Sequence, residues 1–321
     1  MHLREAKPTD QEAIVDLLKR SLGESLLPKS VALWRWKHVD NPFGESPVLV
    51  AEEQGDIVGV RAFMQWEFSQ RGQNIKALRA VDTAVHPDYQ GRGIFKQLTD
   101  KLVQECSEEE FQFIFNTPNA KSMPGYIKMG WQKRGNLPLK MALVRPFGVF
   151  SGRSARESTE VMQQEWPERL LAKVPYSADS VGLQTPISPE YMHWRYVKNP
   201  LFRYGWFSDG ERYLCIFRIK AHRRFQEFRI CELLPLDADR QFADKDFNKQ
   251  LKEQVRNYHT AVITFSGESS VQFRSFGRYR FFRLSKGPLV TLRNLGLEKE
   301  QFEGLLMPNG IAFSLGDLEL F

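Results

Sequence analysis

Residues 86–98 read HPDYQGRGIFKQL, from His86 to Leu98. Proline at position 87 closes any strand before it, because it has no N–H to give to a ladder. Beyond the second glycine, Ile94, Phe95, Leu98, Leu102 and Val103 fall on one face of a helix that runs to about Cys106. The glycines lie between strand and helix. The first N–H groups of a helix have no partner inside it, and the helix dipole adds about half a positive charge there. A phosphate satisfies both. Gly91 and Gly93 let the loop curl and let a ligand approach with no Cβ in the way, while Arg92 adds charge. Gln90-Gly91-Arg92-Gly93 is therefore shaped to hold a pyrophosphate. It is neither a dinucleotide fingerprint nor a P-loop, since no Gly-Lys-Ser/Thr follows.

The flanks give the loop its setting. On the N-terminal side, residues 76–85 (KALRAVDTAV), 57–66 (IVGVRAFMQW) and 47–53 (PVLVAEE) predict three strands. Gln54-Gly55-Asp56 and Arg71-Gly72-Gln73 are the turns between them. Thr9-Asp10-Gln11-Glu12 reads as a capping box, and Ile14, Leu17, Leu18 and Leu22 predict an amphipathic helix over 10–22. On the C-terminal side, residues 111–116 (FQFIFN) predict a strand, 124–128 a short helix, and 131–145 the closing strands. This order predicts a mixed sheet with helices packed on it, an α/β protein of the α+β, mixed-sheet kind.

The second half repeats the first. Trp36-Lys37-His38-Val39-Asp40-Asn41-Pro42 aligns with Trp194-Arg195-Tyr196-Val197-Lys198-Asn199-Pro200 at a shift of 158. Phe95-Lys96-Gln97-Leu98 resembles Phe247 to Leu251, and Met129-Gly130 resembles Phe276-Gly277 at a shift of 147. The shrinking shift implies shorter loops in the second copy. Residues 146–185 carry Gly, Ser and Pro, which places a boundary near 150 and domains at 1–150 and 151–321. At the position of the glycine loop the second copy reads Leu234-Pro235-Leu236-Asp237-Ala238-Asp239-Arg240-Gln241. It has no glycine pair, and its carboxylates repel phosphate. The same fold without a cofactor site is expected there. A wall of an acceptor pocket, an interface and added stability are the roles open to it.

Composition narrows the function classes. A net charge of +6 with charges spread along the chain permits an anionic ligand without calling for nucleic acid. The three cysteines, Cys106, Cys215 and Cys231, form no CxxC and no metal-ligand spacing, so no metal is expected. The N-terminus is polar, and no run approaches the ~18 apolar residues of a membrane helix. A cytoplasmic protein without membrane contact, a monomer or homodimer, is the expectation. Arg274, Arg278, Arg280 and Arg283 alternate with Phe276, Tyr279, Phe281 and Phe282; a strand with one solvated basic face is favoured over a single-stranded nucleic acid surface. The aromatic cluster of Trp34, Trp36 and His38, echoed in the second copy, favours packing over an acceptor-site wall.

The stretch AVHPDYQGRGIFKQL resembles the acetyl-coenzyme A loop of the GCN5-related N-acetyltransferase (GNAT) superfamily. Gln90, Gly91, Arg92, Gly93 and Ile94 fit its pattern, while Phe95 stands where the family prefers a small residue. Asn119 followed by Gly125-Tyr126-Ile127-Lys128-Met129-Gly130-Trp131 resembles the family's downstream Asn and its Tyr-x-x-x-Gly-aromatic segment. The start from Arg4 to Asp10 is similar as well. The resemblance covers residues 1 to about 145 and implies two tandem acetyltransferase-like folds, the second degenerate.

What the resemblance implies is an N-acetyltransferase. Acetyl, or another short acyl group, passes directly from acetyl-coenzyme A to the primary amine of a small molecule or peptide. Polarisation of the thioester is then expected from a backbone N–H near Val85, at the splayed end of the third strand. Tyr126 matches the tyrosine often used as general acid on the leaving thiolate. Asn119 either binds the pantetheine arm or orders its own loop. The base stays open. Asp82 shares a strand face with the small residues Ala80 and Ala84 and is the first candidate, with Glu67 and His86 as alternatives. Two rivals remain. One is a Fem-like transferase using charged tRNA, which needs no pyrophosphate site. The other is a non-catalytic acyl-coenzyme A sensor or interaction module.

Overall fold

The structure is a computed structural model that describes residues 1–23, 28–144, 161, 165–174, 182–236, 244–266, 268, 279, 281–284 and 287–318. Among these, no helix is long and apolar enough to cross a membrane. The chain divides into two compact units. Unit 1 comprises Met1–Gly135, Lys198–Leu201 and Leu289–Gly310; unit 2 comprises Asn136–Val197, Phe202–Pro288 and Ile311–Phe321.

In unit 1 the chain runs β1 (His2–Glu5), α1 (Gln11–Leu22), α2 (Val31–His38), β2 (Val48–Glu53), β3 (Asp56–Gln70), β4 (Gln73–Val85), α3 (Ile94–Ser107), β5 (Phe113–Asn116), α4 (Met123–Lys128) and β6 (Gln132–Asn136). The first four strands form an antiparallel meander, and β5 joins β4 in parallel. One sheet face packs Ile94, Leu98, Leu102 and Val103 of α3 and Tyr126 of α4 against Leu49, Phe63 and Leu78. The other packs Ile14, Leu17 and Leu18 of α1 and Trp34 of α2 against Val50, Val60 and Ala62. The alternation read along β3 and β4 is this division between two helix-covered faces.

Two strand assignments depart from sequence order. In unit 2 the elements are β7 (Leu139–Leu143), α5 (Glu168–Leu171), α6 (Pro189–Met192), β8 (Gly205–Ser208), β9 (Tyr213–Ala221), β10 (Gln226–Pro235), α7 (Asp244–Asn257), β11 (Val262–Ser266) and β12 (Phe282–Leu284). Its sheet runs β12-β7-β11-β10-β9-β8. Strand β7 was expected to close the first sheet. It pairs instead with β11 and β12. Conversely β13 (Leu289–Asn294) pairs with β5, giving β1-β2-β3-β4-β5-β13-β6. After β13 come α8 (Lys299–Leu306) in unit 1 and α9 (Leu315–Leu318) in unit 2. The boundary expected near 150 falls outside the described residues. The units part between Gly135 and Asn136 and are discontinuous, unlike the sequential division 1–150 and 151–321. The cause is hydrogen bonding: each sheet completes its ladder with a strand from the other half of the sequence.

Two local expectations also change. Thr9 and Glu12 do not form the capping box. The Asp10 carboxylate instead accepts from the backbone N–H of Lys7 at 2.7 Å and from Arg4 at 2.6 Å, so it is already engaged before α1 begins. The aromatic stretch around Trp34 is a helix, α2, whose N-cap Ser30 accepts from the Leu33 N–H at 3.1 Å.

Candidate functional site

Strands β4 and β5 are paired only at Ala77↔Phe113, Leu78↔Ile114 and Arg79↔Phe115. Beyond Arg79, β4 keeps its partner β3 to Val85 but has none on the β5 side. The sheet opens into a cleft there. The His86 amide donates to Val58 O on β3 at 2.9 Å. Successive amides of a strand alternate in direction, so the Val85 N–H faces the open edge. The Val85 carbonyl accepts from Ser21 Oγ at 3.0 Å and Gln90 Nε2 at 3.2 Å, which ties down the end of the strand.

The glycine loop leaves this end. Gly91 and Gly93 have φ of +78° and +76°, a left-handed conformation that side chains other than glycine adopt at a cost. A Cβ on Gly91 would meet nothing within 4 Å, so the requirement is backbone conformation and not crowding. Gly93 is the N-cap of α3, and no side chain caps that helix. The first amides of α3 are thus left to an outside acceptor, which fits a pyrophosphate. Gln90 and Arg92 are exposed beside them, with Arg92 over the Tyr89 ring at 4.6 Å and donating to Asp88 O at 3.1 Å. Ile94 is core, and a Cβ on Gly59 of β3 would come within 2.9 Å of its Cγ2, so Gly59 lets α3 close onto the sheet.

Phe95 faces Tyr126 edge-on, with centroids 5.7 Å apart. Tyr126 is buried, and its Oη accepts from Nη1 of Arg61 at 2.8 Å. Sequence reading missed Arg61. Its signal was a lone cation inside the apolar run IVGVRAFMQW, which passes for an ordinary exposed strand position. Asn119 is exposed, and its Oδ1 accepts from the amides of Lys121 and Ser122, both at 2.9 Å. It orders the loop leading into α4.

Asp82 occupies a bulge in β4, between the pairs Arg61↔Thr83 and Ala62↔Val81, with φ of +37°. Its Oδ2 accepts from Lys37 Nζ at 2.7 Å and His38 Nε2 at 2.9 Å. The Lys37 and Asp82 side chains are 6% and 10% exposed. Burial alone raises a carboxyl pKa, but the Lys37 ammonium and the His38 hydrogen bond outweigh it and hold Asp82 well below the usual carboxylate range. Burial lowers the His38 pKa against the pull of Asp82. With Nε2–H donating to Asp82, His38 Nδ1 accepts from Ser46 Oγ at 2.9 Å. A carboxylate so satisfied is a weak proton acceptor. The alternatives fare no better. Glu67 pairs with Lys76, which lies roughly 30 Å from Val85 at about 3.3 Å per strand residue. His86 Nδ1 accepts from the Asp88 amide at 3.4 Å. A cavity of about 670 Å³ lined by Trp34, His38, Ser46 and Glu105 includes residues at the C-terminal end of α3, away from the glycine loop, and contains none of the loop residues.

Residues 2–134 match the Acetyltransferase (GNAT) domain model. This stretch is a GNAT acetyltransferase domain. It is similar to the L-amino acid N-acyltransferase MnaT of Escherichia coli, 25% identical over 151 residues, covering 43% of this chain and 83% of that protein. Among solved structures it resembles a probable N-acyltransferase from Enterococcus faecalis (TM-score 0.63, 10% identity, 92% of this chain and 73% of that one). It also resembles a GCN5-related N-acetyltransferase from Anabaena variabilis (TM-score 0.59, 14% identity, 92% and 73%). These structural likenesses span both units and speak for the fold.

The second GNAT-like sheet repeats the first in one telling respect. Strand β10 pairs in parallel with β11 only from Glu227↔Val262 to Arg229↔Thr264, then continues to Pro235, with a bulge between Ile230 and Glu232. Glu232, the residue after the bulged Cys231, accepts from Tyr196 Oη at 2.7 Å and Ser314 Oγ at 2.6 Å. Burial pushes its carboxyl up to about 8, with the nearby Asp317 adding to the rise. Lys37-His38 and Arg195-Tyr196 are the repeated pairs of the aligned Trp-Lys-His and Trp-Arg-Tyr segments. In each unit this turn supplies a side chain that grips the carboxyl group at or beside the bulge of the splayed strand. The segment equivalent to the glycine loop lies partly outside the described residues.

Proposed function

We propose that unit 1 transfers an acyl group, with acetyl the first candidate, from coenzyme A to a primary amine by direct attack in a ternary complex. The observation that carries this reading is the meeting of three features at one end of β4. They are a helix start with free amides and left-handed glycines, a strand edge whose Val85 N–H is open, and the buried Tyr126 of α4. Acyl transfer is the chemistry of the family; the acetyl donor and the amine acceptor are ours. Gln90, Gly91, Arg92, Gly93 and Ile94 hold the donor, and Phe95 and Asn119 shape the walls.

A neutral amine attacks the thioester carbon, and the Val85 N–H supports the developing oxyanion. The C–S bond breaks, and Tyr126 protonates the sulfur. Asp82 is left out of the proton path. Its two donors, and the retention of the same grip in the copy that lacks the glycine pair, favour a role in fixing the bulge. Orientation of an already neutral amine serves in place of a dedicated base. Unit 2 is assigned no cofactor.

The experiment is titration of acetyl-coenzyme A into the full chain by calorimetry, followed by thiol release with a panel of amines that begins with amino acids. One site per chain with amine-dependent thiol release supports the reading. Binding without release for any amine favours a sensor, and two sites would restore a donor site to unit 2.

A further inference from the structure

Arg61 is fully buried, and its guanidinium is almost without polar company. Nη1 donates to Tyr126 Oη, while Nε and Nη2 are buried with no acceptor among the described residues. Around it stand three aromatic rings. Its Cζ lies 4.6 Å from the centroid of Phe63, 5.3 Å from Tyr126 and 5.8 Å from Phe95. No described carboxylate pairs with it. A buried cation in this setting is costly, and ring faces offset only part of the cost.

The direction of the one hydrogen bond is fixed by chemistry. Guanidinium has five N–H donors and no acceptor, so the phenol oxygen must accept. The phenol's own proton is thereby turned away from Arg61, and no described group takes it. Tyr126 is thus a donor looking for an acceptor, with a fixed positive charge behind its oxygen.

We propose that Arg61 is a positioning residue for leaving-group protonation, acting through Tyr126. This rests on the acyl-transfer reading given above. As the amine nitrogen bonds to the acyl carbon, the C–S bond breaks and its electron pair goes to sulfur. The Tyr126 proton moves to sulfur and gives the free thiol. The phenolate left behind forms at once against the Arg61 guanidinium, whose charge is then neutralised. The proton lost by the attacking nitrogen, carried by water, restores the phenol. The bare cation of the resting state is therefore matched to a charge that exists only during the reaction.

The test uses the full chain with acetyl-coenzyme A and the best amine from the panel. Arg61→Gln, Arg61→Lys, Tyr126→Phe and the double variant are compared, with melting curves and donor binding measured on each. The proposal expects kcat to fall about 100-fold in both Arg61→Gln and Tyr126→Phe, the low end for acid catalysis by a positioned side chain. The KM for the donor stays within about twofold. Arg61→Lys recovers part of the rate, and Arg61→Gln costs nothing further once Tyr126 is Phe. Losses that multiply in the double variant overturn it, because Arg61 then acts independently of the phenol. An unchanged rate in Arg61→Gln overturns it while leaving acyl transfer standing. Donor binding without thiol release by the unaltered protein removes the acyl-transfer reading and this proposal together. Should Arg61→Gln fail to fold, the Arg61→Lys variant in the two Tyr126 backgrounds carries the same comparison.

Discussion

Lys37 Nζ lies 2.7 Å from Asp82 Oδ2, and both side chains are almost wholly inside the protein. This ion pair spans 45 residues of sequence and anchors α2 to the bulge of the strand that opens the cleft. Replacing Asp82 by Asn leaves the ammonium buried and unmatched. The expected cost is roughly 3–5 kcal/mol at neutral pH. Because the folded carboxyl is held below its unfolded value, its contribution is present above about pH 4 and fades as pH falls further. Thermal melts of the two proteins should therefore converge in acid. Lys37→Met added to Asp82→Asn should recover much of the loss, which a catalytic role alone would not produce.

Glu232 carries the opposite sign. Its folded pKa is raised to about 8, against about 4.3 in the unfolded chain. The proton it holds is released more easily by the unfolded state, so the fold loses stability as pH rises from about 4.3 toward 8. Glu232→Gln keeps the shape without the titration. The difference in melting temperature, variant minus parent, should grow from pH 5 to pH 8 and level off beyond it.

At the loop, Gly93→Ala must adopt a φ of +76° or move the start of α3. A left-handed non-glycine residue costs roughly 1–2 kcal/mol. Donor affinity should weaken by about tenfold or more, while the core of unit 1 stays folded. Gly93→Glu, which sets a carboxylate against phosphate, should abolish binding. Calorimetry with acetyl-coenzyme A reads both.

A fragment ending at residue 150 should not behave as a domain. It lacks β13, whose Thr291 hydroxyl is bonded to Asn116 of β5 inside the sheet, and it carries β7 without β11 and β12. Expressed alone, residues 1–150 should be aggregated or loosely folded and should not bind the donor. A sharp melting transition with donor binding in that fragment would contradict the strand exchange.

What could be read in advance was local. The hairpins of β2, β3 and β4 announce themselves through Gly55 and Gly72, and α3 through its apolar stripe, because turns and amphipathic helices are set by neighbours in sequence. Tyr126 and Asn119 were found by family spacing. The partners that decide what these residues do were not visible. Arg61 lies 65 residues from Tyr126, and in sequence a strand arginine looks solvent-bound. Helix α2 hid because Trp34, Trp36, Lys37 and His38 are all buried, which leaves no clean polar face. Strands β7 and β13 were beyond reach, since an exchange between sheets leaves no mark on the pattern of either strand.

That exchange also sets a schedule. During synthesis β5 emerges with its edge bare, and the segment that covers it, Leu289–Asn294, begins 173 residues after Asn116 (289 − 116). The nascent first sheet must wait with an open edge of the kind that recruits stray strands. Whatever guards the growing polypeptide has to do so until Leu289–Asn294 has emerged, and the first sheet cannot be finished before then.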